Sequence, residues 1–283
     1  MKTIVLFLFL VAASMAFAQE PQTAPPKAAD TSAWKHTMII SANLTQISFT
    51  DWAQGGENAL AYALFLEGKS TYTVDAINWA NSYKFGFGQA NLASQGVRKT
   101  DDKIDLESVL TYKLGTYINP FASVSLKTQF TEGLTYDAQG HGTAVSNFFD
   151  PAYLTQTVGV GYQPVQEVKT RLGAALREVV VDKYGAIYVG DATKKVKVEG
   201  GAESVTEVGW TVMENVVLNA KLEIFAPLKQ FDRMTVRSDN TLSAKVNKYL
   251  SMNLNVQLIN DPDVLARTQI KQTLALGFSY TLL

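Results

Sequence analysis

The chain has 283 residues, a formal net charge of −1 at neutral pH and no cysteine. The near-neutral charge, without a basic cluster or a basic helix, argues against nucleic-acid binding. Because the chain has no cysteine it forms no disulfide, so its rigidity must come from hydrogen bonding and packing.

The first 35 residues are predicted to be an export signal followed by a flexible leader. Lys2 precedes an apolar run over Ile4–Ala13, and Ala16–Ala18 supplies small residues at the cleavage position, which is typical of a signal peptide over residues 1–18. Residues 19–35 contain three prolines and no apolar periodicity, so they are predicted to be a flexible periplasmic leader. No later stretch approaches the roughly 20 apolar residues that a transmembrane helix needs.

Residues 36–283 are predicted to form about twelve strands, because apolar and polar residues alternate along them with period two. The clearest segment spans 121–131, where Val124 and Leu126 lie on an apolar face and Ser125 and Lys127 on a polar one. Each segment is long enough for a tilted strand of roughly 9–11 residues to cross the hydrocarbon layer. The predicted strands are 36–50, 57–71, 76–91, 101–115, 121–131, 151–163, 167–182, 200–213, 216–229, 234–248, 250–258 and 270–282.

The connections between these segments alternate in length. They are tight after the even-numbered strands and mostly longer after the odd-numbered ones, and in a barrel with both termini in the periplasm the longer loops face outside. The pattern predicts an all-β, transmembrane, antiparallel up-and-down β-barrel of about twelve strands, surrounded by lipid in the outer membrane of a Gram-negative bacterium. The tight turns are 72–75, 115–118, 164–167, 214–215 and 248–249, and the longer loops are 51–56, 91–100, 132–150, 182–199, 227–233 and 260–267.

Three motifs occur in order along this region, over Phe49–Asn58, Arg98–Leu106 and Phe148–Leu154. In these stretches the chain resembles a family of Bacteroidota outer-membrane barrels that is classified only as a domain of unknown function. The resemblance implies a barrel in the outer membrane, and it carries over no activity and no functional residue. The last segment, Gly277–Leu283, resembles the terminal signal that the barrel-insertion machinery recognises, although it ends in leucine where an aromatic residue is usual.

The first motif also has a physical interpretation. Gly55 and Gly56 permit positive φ where one strand reverses into the next, and Trp52 would anchor this loop over the outer interface. A ligand contact by Trp52 or Asn58 is the alternative. The predicted outer-loop motif comprises Trp52, Gly55, Gly56, Asn58, Arg98, Asp101 and Asp102.

The second motif continues into a strand that should turn its charges inward. Lys103, Asp105 and Glu107 share one face, and a basic residue on the lipid face would cost roughly 2–4 kcal/mol at mid-depth. Such charges either pair in the lumen with Lys84, Lys127, Arg171 or Arg177, or build a solute-selective constriction. Lys99 and Lys103 oppose a calcium site at the neighbouring aspartates. The predicted lumen-lining residues are Lys84, Lys103, Asp105, Glu107, Lys127, Arg171, Arg177, Lys221, Glu223 and Lys245.

Enzymatic activity, a cofactor and a metal are not expected. His36 and His141 are the two histidines, neither stands beside a recognisable serine nucleophile motif, and neither has metal-ligand spacing. The predicted function is a narrow pore for passive passage of small solutes, because a barrel of about this strand number is narrower than the 16–18-stranded porins. The alternative is a non-conducting structural or partner-binding barrel. A second alternative, a membrane-embedded hydrolase, would need a histidine placed against a serine hydroxyl.

Overall fold

The computed structural model describes residues 33–48, 58–247 and 249–281. The signal peptide and the leader up to residue 32 lie outside these ranges. The described strands are β1 (Trp34–Ile47), β2 (Ala59–Val74), β3 (Ile77–Leu92), β4 (Gly96–Tyr112), β5 (Ile118–Thr128), β6 (Gly133–Tyr136), β7 (Gly142–Ser146), β8 (Ala152–Val165), β9 (Val168–Val180), β10 (Val196–Met213), β11 (Val216–Pro227), β12 (Thr235–Lys245), β13 (Leu250–Asp261) and β14 (Leu265–Thr281). A short helix α1 spans Gly185–Tyr188, and a 3-10 helix spans Phe231–Arg233.

Twelve of the described strands close into one antiparallel barrel, which confirms the predicted fold class. Their order around the wall is β1-β14-β13-β12-β11-β10-β9-β8-β5-β4-β3-β2, and β6 and β7 form a separate hairpin. Apart from that inserted hairpin, each strand pairs with its neighbours in the chain, and β1 closes against β14. The wall begins at Trp34, so Trp34 and Lys35, which were predicted to belong to the leader, are part of β1.

The period-two alternation gives the wall two chemically different faces. On β14, Ile270, Leu274 and Leu276 point outward and are exposed, while Lys271 points inward and reaches Asp101 of β4. An extended exposed apolar surface is unfavourable in water, and in an outer-membrane barrel it is the surface that lipid covers.

The two ends of the barrel differ in their connections. The start of β1 and the end of β14 lie at one end, here called the turn end, and the opposite end is called the loop end. Long segments at the loop end span 129–151, which carries the β6–β7 hairpin, and 181–195, which carries α1. No helix in the described ranges is long and apolar enough to cross a membrane.

Two connections at the loop end are shorter than predicted. The β3–β4 turn is residues 93–95 and the β13–β14 turn is residues 262–264, so the predicted long loops at 91–100 and 260–267 are wrong. Polar side chains do not interrupt strand pairing, and the ladder continues through Arg98 and Asp101 opposite Ala90 and Gly88. Gly96, at φ +69°, supplies the positive φ of the first turn.

Candidate functional site

Charged side chains meet inside the barrel around Glu107 of β4. Its carboxylate accepts a hydrogen bond from Arg171 Nη2 of β9 at 2.6 Å and from Lys221 Nζ of β11 at 2.9 Å. Strands β4, β9 and β11 are not neighbours in the wall. In a closed barrel such partners reach each other only through the interior, so these contacts cross the lumen.

The same network extends through Glu223 of β11. Lys221 Nζ lies 2.8 Å from Glu223 Oε1, and Lys127 of β5 pairs with the other oxygen of that carboxylate. A continuous chain of alternating charge therefore runs from Arg171 through Glu107, Lys221 and Glu223 to Lys127. We call these five residues the Glu107 network.

A further ion pair spans the full width of the barrel. Lys103 Nζ of β4 lies 3.0 Å from Asp239 Oδ2 of β12, and five strands separate β4 from β12 in either direction around the wall. Asn255 of β13 donates to the other oxygen of Asp239 at 2.7 Å. The two sides of the barrel are therefore linked by direct side-chain contact.

Arginines fill the lumen nearer the loop end. Arg177 donates to Glu199 at 3.1 Å and to Thr235 at 3.0 Å, and its guanidinium lies over the ring of Phe225 at 4.0 Å. Arg237 lies over the ring of Tyr153 at 4.5 Å. A cavity of about 40 Å³ remains between these groups and the Glu107 network, which is enough room for water.

The remaining predicted lumen-lining residues are placed differently. Lys84 and Asp105 stand directly opposite each other on β3 and β4, and Asp105 stands opposite Lys127 on β5, so acid and base alternate around this part of the wall. Lys245 lies exposed at the turn end of β12 and forms no ion pair among the described residues. Sequence reasoning missed Asp239 and Glu199, although both fall on the inward parity of their strands.

The lumen is filled unevenly. Apart from glycines, no described residue of β14, β1, β2 or β3 is buried, whereas β5 and β8–β13 carry buried side chains such as Val179, Val205 and Phe225. Ile39 of β1 has the inward parity and is nevertheless 42 % exposed. An open lane therefore runs along the inner faces of β14, β1 and β2, beside the charged and packed part of the lumen.

The outer-loop motif is only partly within the described residues. Trp52, Gly55 and Gly56 lie outside them, and Asn58 precedes β2, where its carbonyl accepts a hydrogen bond from Ala93 N at 3.1 Å. The charged residues of the second motif have separate partners. Arg98 lies over the ring of Tyr136 at 3.9 Å, Asp101 pairs with Lys271, and Asp102 accepts hydrogen bonds from Lys99, Phe130 and Thr131. The described residues contain no metal-binding group of three or more His, Cys, Asp or Glu.

Asp150 is a structural residue that sequence reasoning missed. Its side chain is buried, its Oδ2 accepts a hydrogen bond from Lys183 N at 2.7 Å, and its carbonyl accepts one from Gln129 Nε2 at 2.8 Å. It thus fastens the two ends of segment 129–151 to each other and to segment 181–195. Phe148, two residues before it, is exposed and does not enter the lumen mouth.

The outer face near the turn end carries an aromatic cluster. The Trp34 ring lies 5.2 Å from that of Tyr72 and 5.6 Å from that of Trp79, which is the composition of an interfacial girdle. Beside this cluster, His36 Nδ1 lies 2.8 Å from Ser70 Oγ, and Ser70 Oγ lies 3.0 Å from the hydroxyl of Tyr83. His141 instead contacts Asp137 in an exposed loop.

Outside the spanning strands, burial and hydrogen bonding shift the acidity of several loop residues. Burial raises the pKa of Tyr188 in α1 to about 12. The hydrogen bond from Lys195 lowers the pKa of Asp182 below its ordinary value of 3.8. The backbone N–H of His141 hydrogen-bonds to Asp137 and lowers the pKa of its carboxyl group.

The barrel is closed, its outer face is apolar and exposed, and its lumen is charged. The start of β1 and the end of β14 lie at the same end. These features define an outer-membrane β-barrel. Its place is the outer membrane of a Gram-negative bacterium, with lipid against its outer face. This agrees with the predicted class and location.

Comparison with known families matched residues 44–134 to a family described as a protein of unknown function, DUF3078. The match includes the first two sequence motifs, while Phe148–Leu154 lies beyond it. The predicted resemblance to a barrel family of unknown function is thus supported over this region. Its assignment to Bacteroidota stays a prediction. No curated protein matched the chain.

Several solved structures are similar in fold. The translocator domain of the autotransporter NalP from Neisseria meningitidis is 11% identical, with 87% of this chain and 86% of that chain covered and a TM-score of 0.38. An outer membrane channel from Pseudomonas putida F1 is 11% identical, covering 92% and 99% respectively, with a TM-score of 0.41. The KdgM porin is 11% identical, covering 86% and 98%, with a TM-score of 0.32.

Proposed function

We propose that the protein is a narrow conduit for small solutes across the outer membrane, with the Glu107 network as its constriction. This proposal rests on the ion pairs that join non-neighbouring strands through the lumen. Because side chains meet across the rest of the interior, the proposed passage runs along the open lane beside β14, β1 and β2. Charges at the border of such a passage select solutes by sign.

The constriction can be tested by single-channel conductance of the purified, detergent-refolded protein in a planar bilayer. In Glu107→Gln, Arg171 and Lys221 lose their shared carboxylate, so we expect larger conductance steps than in the wild type and a shift of ion preference toward anions. Asp105→Lys reverses a charge beside Lys127 and should shift the preference in the same direction. Glu132→Gln, in an exposed loop and without an ion pair among the described residues, is the matched control and should behave as the wild type.

The opposite outcome supports a second candidate function. If the wild type and both lumen variants are silent although heat-modifiable gel mobility shows that they are folded, the conduit is wrong. The same cross-lumen ion pairs would then brace a non-conducting structural or partner-binding barrel, which is why this candidate is retained.

We also infer that the protein is not a hydrolase, although His36 and Ser70 meet the geometric condition of a histidine against a serine hydroxyl. Ser70 shares its hydroxyl with Tyr83, and among the described residues no carboxylate hydrogen-bonds to His36, whereas a catalytic histidine is oriented by a third group. The pair lies in the aromatic cluster, where polar groups face the membrane interface.

Substitution of the two histidines tests this inference. The wild type and the His36→Ala/His141→Ala variant should release no fatty acid from phospholipid vesicles above the rate of vesicles alone. Hydrolysis by the wild type that is lost in His36→Ala and retained in His141→Ala would establish a catalytic His36 and contradict the inference.

The carboxyl-terminal strand is the surface that we infer the insertion machinery binds. Tyr280 on β14 is exposed on the outer face near the turn end, and Phe278 two residues earlier shares that face. Leu282 and Leu283, which complete the predicted signal, lie outside the described residues. Recognition by that machinery therefore stays a prediction.

A further inference from the structure

The seam between β1 and β14 is the shortest pairing in the described barrel wall. It covers only Ile39–Asn43 against Gly277–Thr281, whereas β1 pairs with β2 over its whole length. The same register would place Leu44–Ile47 opposite Thr273–Leu276, and these described residues do not pair. The wall is therefore open along the loop-end half of the seam, a gap that we call the lateral opening.

Specific contacts hold the lateral opening in place. At the last closed pair, the Asn43 side chain lies against Gly277, where a Cβ would come within 1.9 Å of Asn43 Oδ1. Beyond this point β14 is held from another direction, because Lys271 donates to the Thr100 carbonyl at 2.9 Å and pairs with Asp101, both on β4. The loop-end half of β14 is thus fixed across the lumen to β4 and not laterally to β1.

Exposed leucines lie on the outer rim of the lateral opening, together with Gln46. Leu44 on β1 is 68 % exposed and Leu274 on β14 is 71 % exposed, and no strand pairs beside either of them across the seam. Leucines on the outer face of a barrel wall contact lipid acyl chains. The lateral opening therefore lies at a height that the membrane covers.

Among the described residues, no partner strand pairs with the backbone N–H and C=O groups along the edges of the lateral opening. Within a membrane such groups are tolerated only where they are buried in protein or line a water-filled cavity. Thr45 and Ile47 have the inward parity of β1 and are exposed, so the open lane can supply that water. The lateral opening therefore joins lumenal water to the lipid phase.

On β2 and β3, the lumen wall near the lateral opening includes small and apolar residues, whereas polar Asn43, Thr45 and Thr273 face inward at the opening itself. Ala63 on β2 and Gly86 and Gly88 on β3 share the inward face, and Phe65 packs over Gly86. The residues of the Glu107 network lie on β4, β5, β9 and β11, none of which borders the lateral opening. This wall suits the apolar part of a solute.

We propose that the lateral opening is an exit through which small lipophilic or amphipathic solutes move between the lumen and the outer membrane. The proposal rests on the proposed conduit, because the solute must first enter the lumen. It adds the solute class and the route by which the solute leaves.

Because the chain has no cysteine, a disulfide can be placed across the lateral opening without competing thiols. Thr45→Cys/Ala275→Cys would close it. Ser243→Cys/Asn253→Cys, on facing positions of β12 and β13 that already pair, is the matched control. The readout is the entry of the lipophilic dye N-phenyl-1-naphthylamine into the outer membrane of intact cells. Oxidation of the first variant should reduce dye entry to the rate of cells without the barrel, reductant should restore it, and the control should be unaffected.

Ion conductance separates failure of the exit from failure of the conduit. A crosslinked barrel that conducts ions as the wild type does and admits no dye supports the lateral exit. Dye entry that survives crosslinking overturns the exit and leaves the conduit standing. A wild-type protein that neither conducts ions nor admits dye overturns the conduit itself, and the exit with it.

Hydrogen exchange tests the lateral opening without a crosslink. In the wild-type protein, the amides of Thr273–Leu276 that face β1 should exchange faster than the alternate amides of the same segment, which face β13. Equal protection of both sets would show that the seam is closed and would overturn the proposal even if the cysteines fail to join.

Discussion

Asp102 shows how much a single carboxylate can hold at the loop end of the barrel. Its side chain is 3 % exposed. It accepts hydrogen bonds from Lys99 Nζ at 2.8 Å, Phe130 N at 2.7 Å, and the N and Oγ1 of Thr131 at 2.9 and 2.8 Å. The start of segment 129–151 is therefore fastened to β4 through one residue.

Replacing this carboxylate by its amide should loosen the segment. Asp102→Asn keeps the size of the side chain and loses both its charge and one acceptor oxygen, so at least one of these charge-assisted hydrogen bonds is lost. We expect the local opening free energy of segment 129–151 to fall by about 1–3 kcal/mol, measured by hydrogen exchange at Phe130 and Thr131.

The control for Asp102→Asn is Glu132→Gln, a neighbouring change of charge at an exposed position. It should leave the exchange rates of Phe130 and Thr131 unchanged. Equal exchange in Asp102→Asn and the wild type would mean that the strand and hairpin hold the segment without this carboxylate.

At the scale of elements, segments 129–151 and 181–195 at the loop end are held by contacts within each segment and by contacts between the two. Segment 181–195 is closed by Lys195, whose Nζ lies 2.9 Å from Asp182 Oδ1, and Asp191 caps the backbone of Thr193 at 2.9 Å. Asp150 fastens this segment to the neighbouring one. The loop end is therefore a set of connected structures and not a set of independent loops.

The contact between Asp182 and Lys195 has a consequence for acid stability. Because the folded pKa of Asp182 is lowered, the contact stabilises the segment above the ordinary carboxyl pKa, and this contribution is lost as pH falls through the lowered value. In Lys195→Met the Asp182 carboxyl should titrate nearer 3.8, as followed by carbon NMR of the labelled side chain.

Lys229→Met is the matched control for the titration of Asp182. Lys229 lies in the exposed β11–β12 connection and forms no ion pair among the described residues. An Asp182 midpoint that is the same in Lys195→Met and in the wild type would show that the ion pair does not form in solution.

At the scale of the whole molecule, sequence alternation was sufficient to predict the barrel and the inward side of β4. Lys103 and Glu107 fall on the polar parity of a strand with apolar neighbours, and the structure places both in the lumen. Arg171 was among the predicted lumenal partners of this face, but Asp239 was not, because β4 and β12 become close only when the sheet closes. Bulges, such as the one between Gly88 and Gln89, also shift the register in ways that alternation does not reveal.

The lengths of the loops and the extent of the β1–β14 pairing could not be predicted from the sequence, for a related reason. Charged residues near Arg98 indicated a loop, yet strand pairing continues through them because a strand above the membrane has water on both faces. Asp150 gave no signal, since its role depends on the backbone of Lys183 in another segment. The early end of pairing at Asn43 could not be predicted either, because β1 and β14 meet only in the closed wall.

The ion pairs that cross the lumen also bear on how the barrel assembles. Lys103 and Asp239 are 136 residues apart in the chain, and Lys221 and Glu107 are 114 apart, so neither contact can form before most of the wall exists. Until then these charges need water, and an unclosed sheet that entered the membrane would carry them into lipid at a large cost. The same residues that narrow the finished lumen therefore oppose insertion of an incomplete sheet, so that closing the wall and entering the bilayer become one coupled event.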